Sequence, residues 1–287
     1  MERIAPGLRL CRAPNPSPMT AEGTNTWIVG DGEVAVIDPG PDSPAHLAAL
    51  HTGLRGERVA AILVTHAHRD HADLAAPLAA VTGAPVLAFG APEAGRTALM
   101  ARLAAEGIGG GEGVARGFLP DRTLAEGDAI EGPGWRLDAL HTPGHFAGHL
   151  CFAWDDLLFT GDHVMGWAPS LVSPPDGDMG AYMASLARLA GQGWRRFLPG
   201  HGAPVETPEA RIAELLAHRR GREAKVLAAL DHPLQLPDIV ARVYADTPPA
   251  LHLAAARNAL AHLIDLWQRG RITAAPTPGP AAAWART

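Results

Sequence analysis

Cysteine is nearly absent from this 287-residue chain. Cys11 and Cys151 are too few for a disulfide framework or a thiolate metal site. Lysine is rarer still, with Lys225 standing alone. No run of about 18 apolar residues lacks charge, so no membrane span and no membrane partner are predicted. The start, MERIAPGLRL, mixes acid and base within three residues and has no apolar core of signal-peptide length, which points to a cytoplasmic protein. The net charge of −6 gives no overall reason to expect nucleic acid. An apolar fraction of 47% excludes a disordered or fibrous chain. What the chain does have is 14 histidines, so a metal would be held by imidazole and carboxylate.

The pattern predicts alternating short strands and helices up to about residue 207. Thr24–Gly30 and Glu33–Asp38 read as a hairpin about Asp31-Gly32. A helix is expected over about 45–54, and a buried strand over Val59–Val64. Helix 74–81, strand 86–89, short strands between 118 and 140, and a hairpin around Asp155-Asp156 follow. Helix 179–189 then leads to strand 196–198. The segment GIGGGEG, residues 107–113, reads as a mobile loop, and no Lys-Ser/Thr pair follows to make it a phosphate loop. After Thr207-Pro208 the pattern turns helical, with helices expected over 209–230, 236–244 and 250–267 and a short wing over 270–274. The expected organisation is a catalytic domain over 1–207, a winged-helix-like domain over 208–275, and a frayed Pro/Ala-rich tail over 276–287. Residues 1–208 carry 14 basic and 23 acidic side chains, whereas residues 209–273 carry 9 and 7. Arg219, Arg220, Arg222 and Lys225 fall together on one helix, as a solvated face or as a contact for nucleic acid or another partner.

Chemistry concentrates at strand ends. His66-x-His68-x-Asp70-His71 follows the buried strand 59–64. Three imidazoles and a carboxylate within six residues are costly to bury without a task. Alternation points His66 and His68 the same way, while Asp70 and His71 lie past the bend, which suits two metal ions better than one. His145 in His-Thr-Pro-Gly-His, Asp162 in Thr-Gly-Asp and His201 in Pro-Gly-His-Gly each end an apolar run, with glycine allowing a sharp turn beside them.

Together these motifs resemble the metallo-β-lactamase superfamily over residues 24–202. The resemblance implies an α+β fold, an αββα sandwich with helices outside two packed sheets. It also implies that His66, His68 and His145 hold one metal, that Asp70, His71 and His201 hold a second, and that Asp162 bridges them. True β-lactamases have Cys where Asp162 stands, so lactam cleavage is not expected. Pro143-Gly-His145-x-x-x-His149, Pro199-Gly-His-Gly-x-Pro204 and His218-Arg-x-x-Arg222-Glu look like the β-lactamase-like protein 2 subfamily, which includes endoribonucleases of single-stranded RNA. Phe146 and His163 depart from that pattern beside the expected ligands.

Two divalent ions, zinc first and manganese or iron tolerated, would generate a bridging hydroxide nucleophile. Asp70 would orient it, and His149, four residues after His145, is the expected leaving-group acid. His141 and His163 are expected to support ligands from behind. The expected function is a metal-dependent hydrolase acting on RNA or a small molecule. Cleavage of single-stranded RNA stands first, with a thioester hydrolase of the hydroxyacylglutathione type, or a metal-bound nucleic-acid-binding module without hydrolysis, as alternatives.

Overall fold

The computed structural model describes residues 1–111, 113–248 and 251–287. The first half builds a seven-stranded sheet in chain order, from β1 (Glu2–Ala5) and β2 (Leu8–Arg12) through β3 (Asn25–Val29) and β4 (Glu33–Ile37) to β5 (Arg58–Leu63), β6 (Val86–Ala88) and β7 (Arg122–Thr123). Helices α1 (Pro44–Gly53), α2 (Arg69–Ala72), α3 (Ala75–Thr82) and α4 (Ala98–Ala105) connect the later strands. Strands β8 (Ala129–Gly132), β9 (Trp135–His141), β10 (Leu150–Trp154), β11 (Leu157–Gly161) and β12 (Arg196–Pro199) form a second sheet, and α5 (Met179–Leu189) joins β11 to the parallel β12.

Both sheets are covered on both faces, which is why their strands read as near-continuous apolar runs. In β3, Trp27 and Val29 point to the other sheet and meet Leu137, Phe152, Phe159 and Leu198. Ile28 points outward, toward Leu50 of α1 and Leu78 of α3. On the far side, Leu158 and Phe197 pack against Tyr182 and Leu186 of α5. The result is an αββα sandwich. The expected hairpin and the later strands fall where the pattern places them. Strands β1 and β2 have no counterpart in the sequence reading, because Arg3, Arg9 and Arg12 mask a short alternation.

The C-terminal part begins with α6 (Pro208–Ala229), followed by β13 (Leu234–Gln235), α7 (Leu236–Val243), α8 (His252–Gln268), β14 (Ile272–Ala275) and β15 (Ala283–Arg286). Helix α6 serves two layers. Ile212 and Leu215 pack with α5, while Val226 enters the core built by α7, α8 and the small sheet β13-β15-β14. Ala250, the expected start of the last helix, lies outside the described residues. The tail over 276–287 is not frayed: β15 pairs with β13 and β14, and Trp284 is fully buried in the winged core. Burial of one indole outweighs the Pro/Ala-rich composition around it. Met100 and Leu103 of the unexpected helix α4 join the same core. Glu112, within the glycine-rich segment, lies outside the described residues. The preceding stretch is a loop in which the Ile108 and Gly109 carbonyls accept from Arg257.

His262 of α8 is 1% exposed, and its ring nitrogens have no hydrogen-bond partner among the described residues. Burial, then the charges of Arg219 and Arg222, push its pKa down to about 3. Below the ordinary histidine value of about 6.5 the unfolded chain takes up the proton first. Stability from neutral His262 is therefore complete above that pH and is lost as pH falls toward 3, by up to about 1.4 kcal/mol per pH unit. His262→Leu is expected to flatten the fall in melting temperature between pH 6 and 4 relative to the parent protein. Parallel pH profiles would show that His262 does not contribute.

Candidate metal centre

Each chemistry-bearing residue sits just past a strand, in a loop or on a one-turn helix at one edge of the sandwich. His66 follows β5, and His68 precedes the single-turn helix α2, which carries Asp70 and His71. His145 lies between β9 and β10, Asp162 follows β11, and His201 follows β12. Cross-connections bring these ends together. Leu150 N–H donates to the Thr65 carbonyl (2.8 Å), Gly200 N–H to Gly161 (2.8 Å), and Asn25 N–H to Gly200 (2.7 Å).

Two groups of donor atoms converge. His66 Nε2 lies 2.8 Å from His68 Nδ1 and 3.3 Å from His145 Nε2, and the last two atoms are 3.1 Å apart. Ligand atoms at the corners of a tetrahedron around a cation such as zinc lie roughly 3.3 Å apart. In the second group, His201 Nε2 lies 3.2 Å from both His71 Nε2 and Asp70 Oδ2. Asp162 stands between the groups. Its Oδ1 is 3.5 Å from His71 Nε2 and 3.5 Å from His201 Nε2, and its Oδ2 is 3.7 Å from His145 Nε2. Asp162 Oδ1 is buried with no hydrogen-bond partner in the described residues. Such a donor set fits two divalent cations.

Partners behind the rings aim them. His145 Nδ1–H donates to the Leu171 carbonyl (2.6 Å), His71 Nδ1–H to Asp38 (2.9 Å), His66 Nδ1–H to Thr65 Oγ1 (3.0 Å), and His201 Nδ1–H to the Gly23 carbonyl (3.3 Å). All four thereby present Nε2 to the centre. Burial, then neighbouring imidazoles, hold His66 well below the ordinary histidine range, and burial takes His68 down to about 3. For His201 and His71 burial acts in the same direction but is outweighed by carboxylates. Asp162 and Asp70 lift His201 to about 9, and with Asp38 they lift His71 well above its usual value. Burial tends to raise Asp162, but the cationic His201 and His71 hold it well below the carboxylate range.

Asp38 is a site residue that sequence reasoning read only as the end of a strand. Its backbone is left-handed, with φ of 53°, and its buried carboxylate accepts from Thr65 N–H (2.8 Å), Thr65 Oγ1–H (2.9 Å) and His71. The available signal was an acidic residue ending a buried strand. Asp38→Ala is expected to weaken binding of the second cation by about 10–100-fold, since His71 loses the group that orients it. Competition with a chromophoric chelator measures this, and unchanged affinity would reject the role.

His149 does not face the cleft. It is fully buried behind His66, with ring centroids 5.2 Å apart, and Thr142 Oγ1 holds its Nδ1 at 2.8 Å. The expectation used helical i, i+4 geometry, whereas residues 142–149 form a loop that runs into β10. Burial, then His163, keeps its proton affinity low, which is wrong for an acid. The His163 ring lies against Tyr182 at 5.0 Å, and His141 stacks on Phe89 at 4.3 Å and bonds the Ala147 carbonyl (2.9 Å) in the loop that carries His145. Phe146 packs with Ala67 and Val114 beneath the first group rather than in the cavity.

Asp70, Asp162 and His145 open onto a cavity of about 610 Å³ that extends to α6 and α8. The clustered basic residues divide there. Arg219 and Arg222 line the cavity, and Arg219 is 3% exposed. Arg220 and Lys225 are exposed; Arg220 points to another side of the helix, while Lys225 lies one turn beyond Arg222.

A family model described as the metallo-beta-lactamase superfamily matches residues 19–201, and one described as the beta-lactamase associated winged helix domain matches residues 236–284. A curated Drosophila melanogaster relative, beta-lactamase-like protein 2 homolog, is 31% identical over 90% of this chain and 87% of its own length. The atrochrysone carboxyl ACP thioesterase of Aspergillus chevalieri is 31% identical over 80% of this chain and 68% of its own. The crystal structure of a metallo-beta-lactamase family protein from Thermus thermophilus superposes with a TM-score of 0.79, at 27% identity, over 99% of this chain and 100% of that one. Motif order, two convergent donor groups and a sandwich followed by a winged helix agree with these matches: the chain belongs to the metallo-β-lactamase superfamily.

Proposed function

We propose that this protein hydrolyses a carboxylic thioester with a largely apolar body at a centre holding two divalent cations. His66, His68 and His145 would hold one, Asp70, His71 and His201 the other, with Asp162 between them. Zinc suits the imidazole and carboxylate donors best, with manganese or iron also accommodated. Such ions supply an activated water and polarise the scissile carbonyl. Asp70 lines the cavity with 29% side-chain exposure, so its oxygen not turned to His201 can orient that water.

The observation that carries the reading is the cavity between the donor groups and the winged domain. Its walls include Met165, Trp167, Leu171 and Leu251, which suit an apolar chain rather than a polyanion track. Leaving-group chemistry agrees. With His149 withdrawn, the site favours a group that departs as an anion, and a thiol ionises near pH 8.5 without help. The alkoxide released from a phosphodiester needs a proton donor. The name of the Aspergillus relative supports the same chemistry.

RNA cleavage, the first expectation from the sequence, ranks second. Its support is the resemblance and the basic lining of the cavity by Arg219 and Arg222, but the four clustered cations do not form one surface. The test is turnover of metal-loaded protein on acyl thioesters, single-stranded RNA and a lactam. Thioester hydrolysis at least about a hundredfold above either alternative is expected. RNA cleavage at comparable rates would overturn the assignment.

A further inference from the structure

The segment Ser170–Ser173, between β11 and α5, is neither helix nor strand. Its backbone groups must therefore find their partners elsewhere. Among the described residues no backbone–backbone hydrogen bond involves Ser170, Leu171 or Val172. Side chains of the two long C-terminal helices take their place. From α6, Arg219 donates to the Ser170 carbonyl. From α8, Asn258 Oδ1 accepts from Val172 N–H (3.1 Å), and Arg257 Nε–H donates to Ser173 Oγ (2.9 Å). Arg219 also donates to Asn258 Oδ1 (3.2 Å), so the two anchors hold each other. The Ser170 hydroxyl adds a tie to the His163 carbonyl (3.0 Å).

Leu171 stands between these anchors, and its carbonyl accepts from His145 Nδ1–H at 2.6 Å, the shortest of the four bonds that aim ligand imidazoles. The second donor group is aimed from within the sandwich, by Asp38 behind His71 and the Gly23 carbonyl behind His201. The first group alone draws an aiming bond from a segment fastened to α6 and α8. Without helix or sheet to fix it, the Leu171 peptide points where its flanking anchors hold it. Removing an anchor on either side frees it to turn, and His145 loses its aim.

We infer that Arg219 and Asn258 are positioning residues for the first cation, acting on His145 through the Leu171 carbonyl. The helices of the C-terminal part thereby complete the metal centre. The inference rests on the two-cation reading of that centre and is independent of the substrate.

The test titrates zinc into full-length metal-free protein against a chromophoric chelator, which resolves two affinities. Asp38→Ala marks the step that belongs to the second donor group. Asn258→Ala is expected to weaken the other step at least about fivefold and to keep the Asp38-sensitive step within about twofold. Partners directly behind a ligand contribute roughly 10–100-fold, and these side chains act one bond further out. Asn258→Asp keeps the accepting oxygen and is expected to restore the affinity. Arg219→Met keeps the packing of the stem and removes a buried cation whose Nε has no partner among the described residues, so it should fold even if Asn258→Ala does not. It is expected to weaken the same step. Arg220→Gln, exposed on another side of α6, is expected to change neither. Equal weakening of both steps would mark general loosening and overturn the inference. Parental affinities in both Asn258→Ala and Arg219→Met, or a weakened step that Asn258→Asp does not restore, would overturn it too. If the parent protein takes up no zinc, the two-cation reading fails, and the His145 Nδ1 proton resonance of the metal-free protein decides the positioning role alone. Exchange of that proton with solvent at least about tenfold faster in Arg219→Met upholds the role, and unchanged exchange overturns it.

Discussion

Asp162→Ala is expected to lower turnover at least about a hundredfold, a loss of roughly 2.7 kcal/mol of transition-state stabilisation. It is also expected to leave fewer than two divalent cations per chain. The reason is positional. Among the described residues Asp162 is the one carboxylate whose two oxygens face different donor groups, Oδ1 toward His71 and His201 and Oδ2 toward His145. No neighbouring side chain can take its place, because Asp70 reaches only the second group. Asp162→Asn, which keeps the shape and removes the charge, separates the two effects. If charge matters, the Asn variant also loses a cation; if only packing matters, it retains both. Elemental analysis after mild metal loading, with circular dichroism to show an intact fold, gives the readout. Two ions per chain and near-parental turnover in the Ala variant would show that Asp162 does not link the groups.

The centre was legible because its ligands are local and conspicuous. His66, His68, Asp70 and His71 occupy six residues after an apolar run, and His145, Asp162 and His201 each sit beside glycine at the end of another. Sequence order does not reveal depth, and depth decided the misreadings. His149 has the spacing of a helical neighbour but lies in a loop that turns it inward behind His66. Asp38 resembles any aspartate at a strand end until its three donors are seen. Arg219, Arg220, Arg222 and Lys225 read as one basic patch, yet Arg219 and Arg222 line a cavity while Arg220 and Lys225 are exposed. The fold was legible where strands are buried on both faces and obscure at its periphery. Strand β1 is an edge strand and β2 lies next to it, both short and carrying arginines, α4 is a single eight-residue helix, and β15 depends on Trp284 finding a core assembled by residues far away in sequence.

Gly144→Ala is expected to lower stability by about 3 kcal/mol or more, from backbone strain and overpacking together. Gly144 has φ of +150°, and a Cβ placed on it would lie 2.4 Å from Tyr182 Cα and 2.8 Å from Tyr182 N. Those are backbone atoms of α5, so no side-chain rotation relieves the clash. The segment cannot retreat without breaking other contacts. The Gly144 carbonyl accepts from Asp178 N–H (2.9 Å), and Ser185 Oγ–H donates to the Pro143 carbonyl (2.8 Å). Whatever moves Gly144 moves His145, whose Nε2 must stay within hydrogen-bonding distance of His66 and His68 to complete the first donor group. The melting temperature should therefore fall by at least about 6 °C, and affinity for the first cation should weaken at least about tenfold. Gly134→Ala is the control. Gly134 has φ of +77° with nothing within 4 Å of an added Cβ, so only its conformational strain of about 1 kcal/mol should register. If the two variants melt together and bind cations alike, the close approach of α5 to the His145 loop does not position that ligand.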